Sequence, residues 1–206
     1  MSQFFVIEGG EGSGKTTQIG LFKKAFPDAL ATREPGGTQA SEEIRTLLFD
    51  QLKNLDPLSQ LYLVHSGRIQ NCLENIIPAL QQEKMVICDR FQLSTYAYQL
   101  FATDRLDLLP YFMQTQSDYK ELLPVQPFYI YLDIDPKVGV KRTVTRNGEI
   151  NIFDTMDLSF HEKIREGYKD GLEKLGVDYV IINASESIEH VHEEIKRTVV
   201  RQQGTV

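Results

Sequence analysis

The stretch FFVIEGGEGSGKTT, residues 4 to 17, runs from an apolar segment into a glycine-rich loop that ends in a lysine and two hydroxyls. A short apolar run bounded by glycine reads as a buried strand, and the segment from Lys15 to about Phe26 reads as a helix. Gly9, Gly14, Lys15 and Thr16 satisfy G-x-x-x-x-G-K-[ST] in the strand–loop–helix setting that this spacing requires. Glycines let successive backbone N–H groups turn toward one anion, and the helix that follows offers its partially positive end to the same point. The pattern predicts a nucleotide polyphosphate site made by Gly9, Gly10, Glu11, Gly12, Ser13, Gly14, Lys15, Thr16 and Thr17. Lys15 would bridge the β- and γ-phosphates, and Thr16 would hold Mg²⁺ through its hydroxyl. The competing reading, an incidental glycine turn, does not account for the agreement of motif and context.

Further along the chain, short apolar runs alternate with helical periods. MVICD (85 to 89), FYIYLDI (128 to 134) and DYVIIN (178 to 183) read as buried strands like FFVIE. Between Pro57 and Gln82, Leu58, Leu61, Tyr62, Ile69, Cys72, Leu73, Ile76 and Leu80 recur at helical spacing and predict one long helix. Ile188, Val191, Ile195 and Val199 predict a closing helix with Ser187 as its cap. Such alternation implies a doubly wound α/β fold, a parallel sheet flanked by helices, with its ligand crevice at the carboxyl ends of the strands. At 206 residues and 41% hydrophobic content, the chain is expected to form one domain over 1–206.

The charge balance, 22 basic against 29 acidic residues, supplies no overall positive field for a nucleic-acid polymer, although local arginines can still bind a small anion. Cys72 and Cys88 lack metal-ligand spacing and are expected to be buried thiols in a reducing, cytoplasmic setting. The chain enters its first strand at once, and no run of about 18 apolar residues could span a bilayer, so neither secretion nor membrane insertion is expected.

Asp89 ends the apolar strand MVICD, where a carboxylate would face the Mg²⁺ held by Thr16; a helix cap is the plainer role for such an aspartate. Arg33, Arg45, Arg68, Arg90, Arg142 and Arg146 fall near strand ends or helix edges. Taken singly each suits a solvated surface, and together they suggest a second anion site facing the loop. The guanine-reading run N-K-x-D does not occur. If the second anion is a nucleoside monophosphate, its phosphate is already ionised, and catalysis reduces to in-line positioning and charge neutralisation.

GGEGSGKTT, TREPGGT (32 to 38), EEIR (42 to 45), CDRFQLSTYAYQL (88 to 100), LDIDPKVGVKR (132 to 142) and FHEKIREGY (160 to 168) resemble, in order and spacing, the bacterial thymidylate kinases, over about residues 4 to 195. The resemblance implies a P-loop nucleoside monophosphate kinase fold, phosphoryl transfer from ATP to dTMP with Mg²⁺, a homodimer, and a cytoplasmic role in dTTP supply. It also implies residue roles. Glu11 lies near the acceptor sugar and metal, Arg45 and Arg90 grip the acceptor phosphate, and Glu34 belongs to the acceptor pocket. Arg68 meets the thymine edge with Thr95, Tyr98 and Gln99, while Arg33 is structural.

Two departures stand out. Val64 occupies the place, four residues before Arg68, where the family stacks a phenylalanine on the base; Val64 and Arg68 still share a helix ridge, and Tyr62 or His65 is a candidate substitute. Val64 can equally be a helix core residue. The second lies in a lid insertion at about 143–157, where Ile152 stands in a place often held by an arginine. Arg146, with Arg142 second, is the expected replacement, because such a cation is worth roughly 10³ to 10⁵ in rate. The catalytic set expected is therefore Lys15, Glu11, Arg90, Arg142 and Arg146. Of the remaining residues, His161 reads as helix surface, and Asp133 and Asp135 alternate at a strand end, where one carboxylate is a candidate to face the crevice or, at least as readily, to cap the helix before Pro136. Two other functions stay open: a kinase of this fold with shifted or broadened base choice, and an ATPase switch that needs no acceptor.

Overall fold

The structure, a computed structural model, describes residues 3–51, 54–144, 153 and 156–204. Among these, five strands form one parallel sheet in the order β2-β3-β1-β4-β5: β1 (Phe4–Glu8), β2 (Leu30–Arg33), β3 (Val86–Asp89), β4 (Phe128–Asp133) and β5 (Tyr179–Asn183). Four of them coincide with the apolar runs to within a residue or so. β2 was not anticipated: LATR is short and half-exposed at an edge, so it lacks the continuous apolar run that marks a strand covered on both faces. In the centre, Phe4, Phe5, Val6 and Ile7 of β1 lie beside Val86, Ile87, Cys88 and Asp89 of β3, which brings the carboxyl ends of both strands to one edge.

Alternate strand residues feed opposite layers, as the pleat requires. Phe4, Val6, Cys88, Tyr129 and Tyr131 pack under α3 (Pro57–Asn71), α5 (Gln92–Thr95), α6 (Leu109–Leu122) and α8 (Leu158–Lys174). Phe5, Ile7, Ile87, Ile130 and Leu132 face α1 (Lys15–Ala25) and α9 (Ile188–Gly204), which bury Phe22, Val191, Ile195 and Val199. Side-chain oxygens start several of the helices. Thr38 accepts from Ser41 N at the head of α2 (Gln39–Asp50), Asp56 from Leu58 N, Asp157 from Phe160 N and Ser187 from His190 N.

The long helix expected over 57–82 is interrupted. After α3 a π-helical turn, Cys72–Ile76, intervenes before α4 (Ile77–Gln81), and it rotates Leu73 outward to 50% exposure. Tyr62, also assigned to the apolar stripe, is 48% exposed. A second π-helical turn, Tyr96–Phe101, continues α5, and a 3₁₀ turn at Leu106–Leu108 leads into α6. α7 (Pro136–Val144) carries Arg142; Arg146, Ile152 and most of the expected lid lie outside the described residues. Cys72 and Cys88 are free and buried. No helix among the described residues is long and apolar enough to cross a membrane.

Candidate active site

The loop after β1 folds tightly on its neighbours. Gly12 sits at φ +72°, and a Cβ there would come within 2.1 Å of the Gly139 carbonyl oxygen, so α7 closes one side of the loop only because both residues are glycine. Gly14, at φ +90°, turns the chain into α1. Lys15 is buried, and its Nζ donates to the Gly9 oxygen at 2.9 Å and the Gly10 oxygen at 3.0 Å. Burial, helped by Arg90, pushes its pKa down to about 8. Thr16 and Thr17 are exposed at the first turn of α1.

On the adjacent strand, Asp89 presents a buried Oδ1 with no hydrogen-bond partner among the described residues. Such an orphan costs free energy unless something occupies it. A carboxylate oxygen and a hydroxyl are hard-oxygen donors of the kind Mg²⁺ prefers, so Asp89 and Thr16 fit the ion by their chemistry.

Arg90 follows in the left-handed region at φ +68°, which a side chain other than glycine enters only under constraint. The constraint is visible: Arg90 N donates to the Ile7 oxygen at 3.0 Å, and its guanidinium reaches the Gly9 oxygen, Ser94, Tyr168 and Glu11. The Arg90 Nη2 to Glu11 Oε1 distance is 2.8 Å. Burial alone would raise the Glu11 pKa, but Arg90 and Lys15 outweigh it and hold the carboxyl at about 2. The guanidinium also lies 4.9 Å from the centre of the Tyr98 ring, whose hydroxyl donates to Glu11 at 2.9 Å.

Beyond this bridge opens a cavity of about 280 Å³. It brings together Glu11, Glu34, Arg45, Val64, Arg68, Arg90, Thr95, Tyr98 and Gln99, all singled out in the sequence. At its far end Arg68 is 3% exposed and donates to Glu34, to Thr95 Oγ1 at 2.9 Å and to the Phe91 oxygen at 3.0 Å. Against the cost of burial, the Glu34 carboxylate holds Arg68 protonated well above its usual range. Gln99 has a buried Oε1 without a partner among the described residues. Arg45 donates to the Pro35 oxygen at 2.8 Å and stands 4.6 Å from the Phe49 ring centre.

Several residues fall elsewhere than expected. Neither substitute for the missing ring reaches the cavity: Tyr62 faces outward, and His65 is held by Tyr119 and Asp118. Arg142 does not line the cavity; its Nη1 donates to the Ala184 oxygen at 2.8 Å and the Gly12 oxygen at 3.5 Å. Arg33 forms an exposed pair with Glu42. His161 is not surface: it is 5% exposed, with an unpartnered Nε2 among the described residues, beside Gly10, Glu11 and Arg165. Asp135 accepts from Lys137 N at the start of α7, whereas Asp133 is held by Arg165 and Lys169.

Sequence reasoning missed Phe49, Ser94 and Phe160 in the cavity wall, and Glu8 and Tyr168 behind it. Phe49 carried a signal, being four residues after Arg45 on one helix face. Nothing in the sequence signalled that Glu8 and Tyr168 meet, since 160 residues separate them.

A phosphate-binding loop on the central strand, with a guanidinium-lined cavity pressed against it across the sheet's carboxyl edge, defines the class: this is a P-loop nucleoside monophosphate kinase fold. The family model described as Thymidylate kinase matches residues 7–195, and the chain belongs to that family. It is 39% identical over 202 residues to a thymidylate kinase of Bacillus cereus (strain Q1), covering 95% of this chain and 96% of that protein. A Bacillus anthracis (strain A0248) thymidylate kinase is 37% identical over the same length and coverage. The crystal structure of thymidylate kinase from Ehrlichia chaffeensis superposes with a TM-score of 0.71 at 30% identity, covering 96% of this chain and 98% of that one.

Proposed function

We propose that this chain transfers the γ-phosphoryl group of ATP to dTMP, giving dTDP and ADP, and does so with Mg²⁺ as a cytoplasmic homodimer that supplies dTTP synthesis. One observation carries the reading most: Glu11 of the loop is bonded at 2.8 Å to Arg90 of the second cavity, so the two anion sites share a wall. That proximity suits direct transfer between bound nucleotides, without a covalent enzyme intermediate.

Lys15, held by loop carbonyls, would turn to the β- and γ-phosphoryl oxygens when ATP binds. Arg90 and Arg45 would hold the acceptor phosphate in line, and Glu11 would fix Arg90 while facing the sugar. Arg68, Thr95 and Gln99 would read the base edge, with Glu34 fixing Arg68 and Val64 and Tyr98 walling the ring. Thr16 and Asp89 would hold Mg²⁺, which would supply positive charge to offset that of the transferring phosphoryl group. Arg146 is the proposed lid cation; a loss of turnover under about tenfold in Arg146→Ala would remove it from that role.

The test is an ADP-release assay across dTMP, dUMP, UMP, CMP, GMP and AMP. The expected result is turnover far above background with dTMP and little ATP hydrolysis without an acceptor. Strong turnover with CMP or GMP and none with dTMP would establish the shifted-specificity kinase, for which Val64 is the motive. Acceptor-independent hydrolysis would instead favour the ATPase switch. Sedimentation at micromolar concentration tests the homodimer.

A further inference from the structure

The most connected polar group behind the cavity belongs to a residue with no role so far. Tyr168, on α8, is fully buried, and its hydroxyl lies 2.9 Å from Arg90 Nη1, 2.7 Å from Ser94 Oγ, 3.1 Å from Glu8 Oε2 and 3.3 Å from the Gly9 oxygen. Glu8, also fully buried, ends the strand that launches the phosphate loop. Its Oε1 accepts from Phe91 N at 2.7 Å and Ser94 N at 3.2 Å, and its Oε2 from Ser94 Oγ at 2.6 Å. Glu8 thus serves as a cap, supplied from another element, for the turn that carries Arg90 into α5.

Donor and acceptor chemistry orders the group. Arg90 can only donate and the Glu8 carboxylate only accepts, so the Tyr168 and Ser94 hydroxyls accept from Arg90, while the Tyr168 proton has Glu8, Ser94 and the Gly9 oxygen within reach. Burial, reinforced by Glu8, pushes the Tyr168 pKa well up, which keeps that proton on the hydroxyl. Hydrogen bonds chained this way polarise one another. The ring is fixed as well, 5.0 Å from Tyr131 and 6.2 Å from Tyr98 between centres. Arg90 also occupies a sparsely populated backbone conformation, which persists only where its surroundings fix it.

The geometry points to Tyr168 as a positioning residue for phosphoryl transfer: with Ser94 and Glu8 it aims the Arg90 guanidinium at the junction of the two anion sites. The inference rests on the reading that Arg90 holds the acceptor phosphate. It assigns to α8, whose residues lie far along the chain from both loops, a direct part in setting the transfer geometry.

The experiment is a double-mutant cycle of Tyr168→Phe with Arg90→Lys, read by steady-state kinetics. Tyr168→Phe keeps the ring packing and removes the hydroxyl. It is expected to lower kcat about tenfold and raise the KM for dTMP, with the KM for ATP changed less than about twofold. In the Arg90→Lys background, where the forked guanidinium is gone, the same removal should cost less than about threefold, because two residues acting as one unit are not additive. An equal loss in both backgrounds would reduce Tyr168 to a structural residue and overturn the inference. Should Tyr168→Phe fail to fold, Ser94→Ala breaks the same chain of bonds and is put through the same cycle with the same two outcomes. Failure of the unsubstituted enzyme to use dTMP would count against the functional reading instead, and the cycle is then read on whichever monophosphate the acceptor survey identifies.

Discussion

Lys15 and Arg68 are both buried cations, and the loop and cavity treat them in opposite ways. Lys15 is buried beside Arg90 with no carboxylate among the described residues bonded to it, and burial, reinforced by Arg90, lowers its pKa from 10.5 to about 8. The folded chain therefore binds fewer protons than the unfolded chain between about pH 8 and 10.5. The cost of burying the ammonium is present below that window and is relieved as pH rises through it. Denaturant titrations should show Lys15→Met more stable than the parent near pH 7, with the difference shrinking from about pH 8 toward 10.5. A polyphosphate reverses the balance by favouring the charged form. ATP binding at pH 8 should accordingly take up protons, which calorimetry in buffers of differing ionisation enthalpy reads directly. Arg68, by contrast, is matched by Glu34 at 3% and 2% side-chain exposure. Removing one partner leaves the other charge buried and unpaired, so Glu34→Ala should cost about 3–5 kcal/mol in urea unfolding. A loss below about 1 kcal/mol would mean that water or another carboxylate replaces Glu34.

At the scale of elements, the cavity proposed for the acceptor depends on how α8 seats against the π-helical turn Tyr96–Phe101, which carries Tyr98 and Gln99. Gly167 makes the seat possible: a Cβ there would lie 2.9 Å from Phe101 Cβ and 3.1 Å from Ala97 Cα, with no flexible atom able to yield. Gly167→Ala is expected to destabilise by about 1–3 kcal/mol and to raise the KM for dTMP, since the turn can relieve the clash only by shifting the cavity wall. Gly20→Ala on α1, where a Cβ meets nothing within 4 Å, is the control and should be neutral or stabilise by up to about 1 kcal/mol. Equal effects at the two positions would defeat the packing argument. These elements also show what the chain discloses in one dimension. The phosphate loop is legible because its chemistry lies within nine consecutive residues, and β1, β3 and β4 because sheet strands covered on both faces leave unbroken apolar runs; β5 shows the same apolar run although it is half-exposed at an edge. The break in the helix over 57–82 is not legible, since a π-helical turn alters the rotation without altering the apolar content. Likewise Arg68 and Thr95 could be set in one cavity through family resemblance, whereas Glu8, Ser94 and Tyr168 meet only through tertiary structure. His161 looks like a surface residue until the loop is placed over it.

For the molecule as a whole, the catalytic edge hangs from its most enclosed strands. β1 is paired on both sides, with β3 and β4, and all five of its residues are buried; it launches the phosphate loop, and β3 ends in Asp89, with Arg90 next in the chain. β5 is paired on one side only, and Tyr179 and Ile181 are 40% and 47% exposed. Stability in such a sheet is not uniform: an edge strand with few apolar contacts opens locally, while central strands exchange their amide hydrogens only when the whole fold opens. Hydrogen–deuterium exchange should therefore find β1 and β3 slowest and β5 faster by roughly tenfold or more, the equivalent of about 1.4 kcal/mol in opening free energy. Saturating dTMP with a non-hydrolysable ATP analogue should slow exchange in residues 9–17 and 90–99, where the two anion sites meet, and leave β5 unchanged except through overall stabilisation. If β5 exchanged as slowly as β1 in the free protein, the sheet would be a uniformly rigid unit, and the placement of the phosphate loop on its centre could not be explained by a need for rigidity.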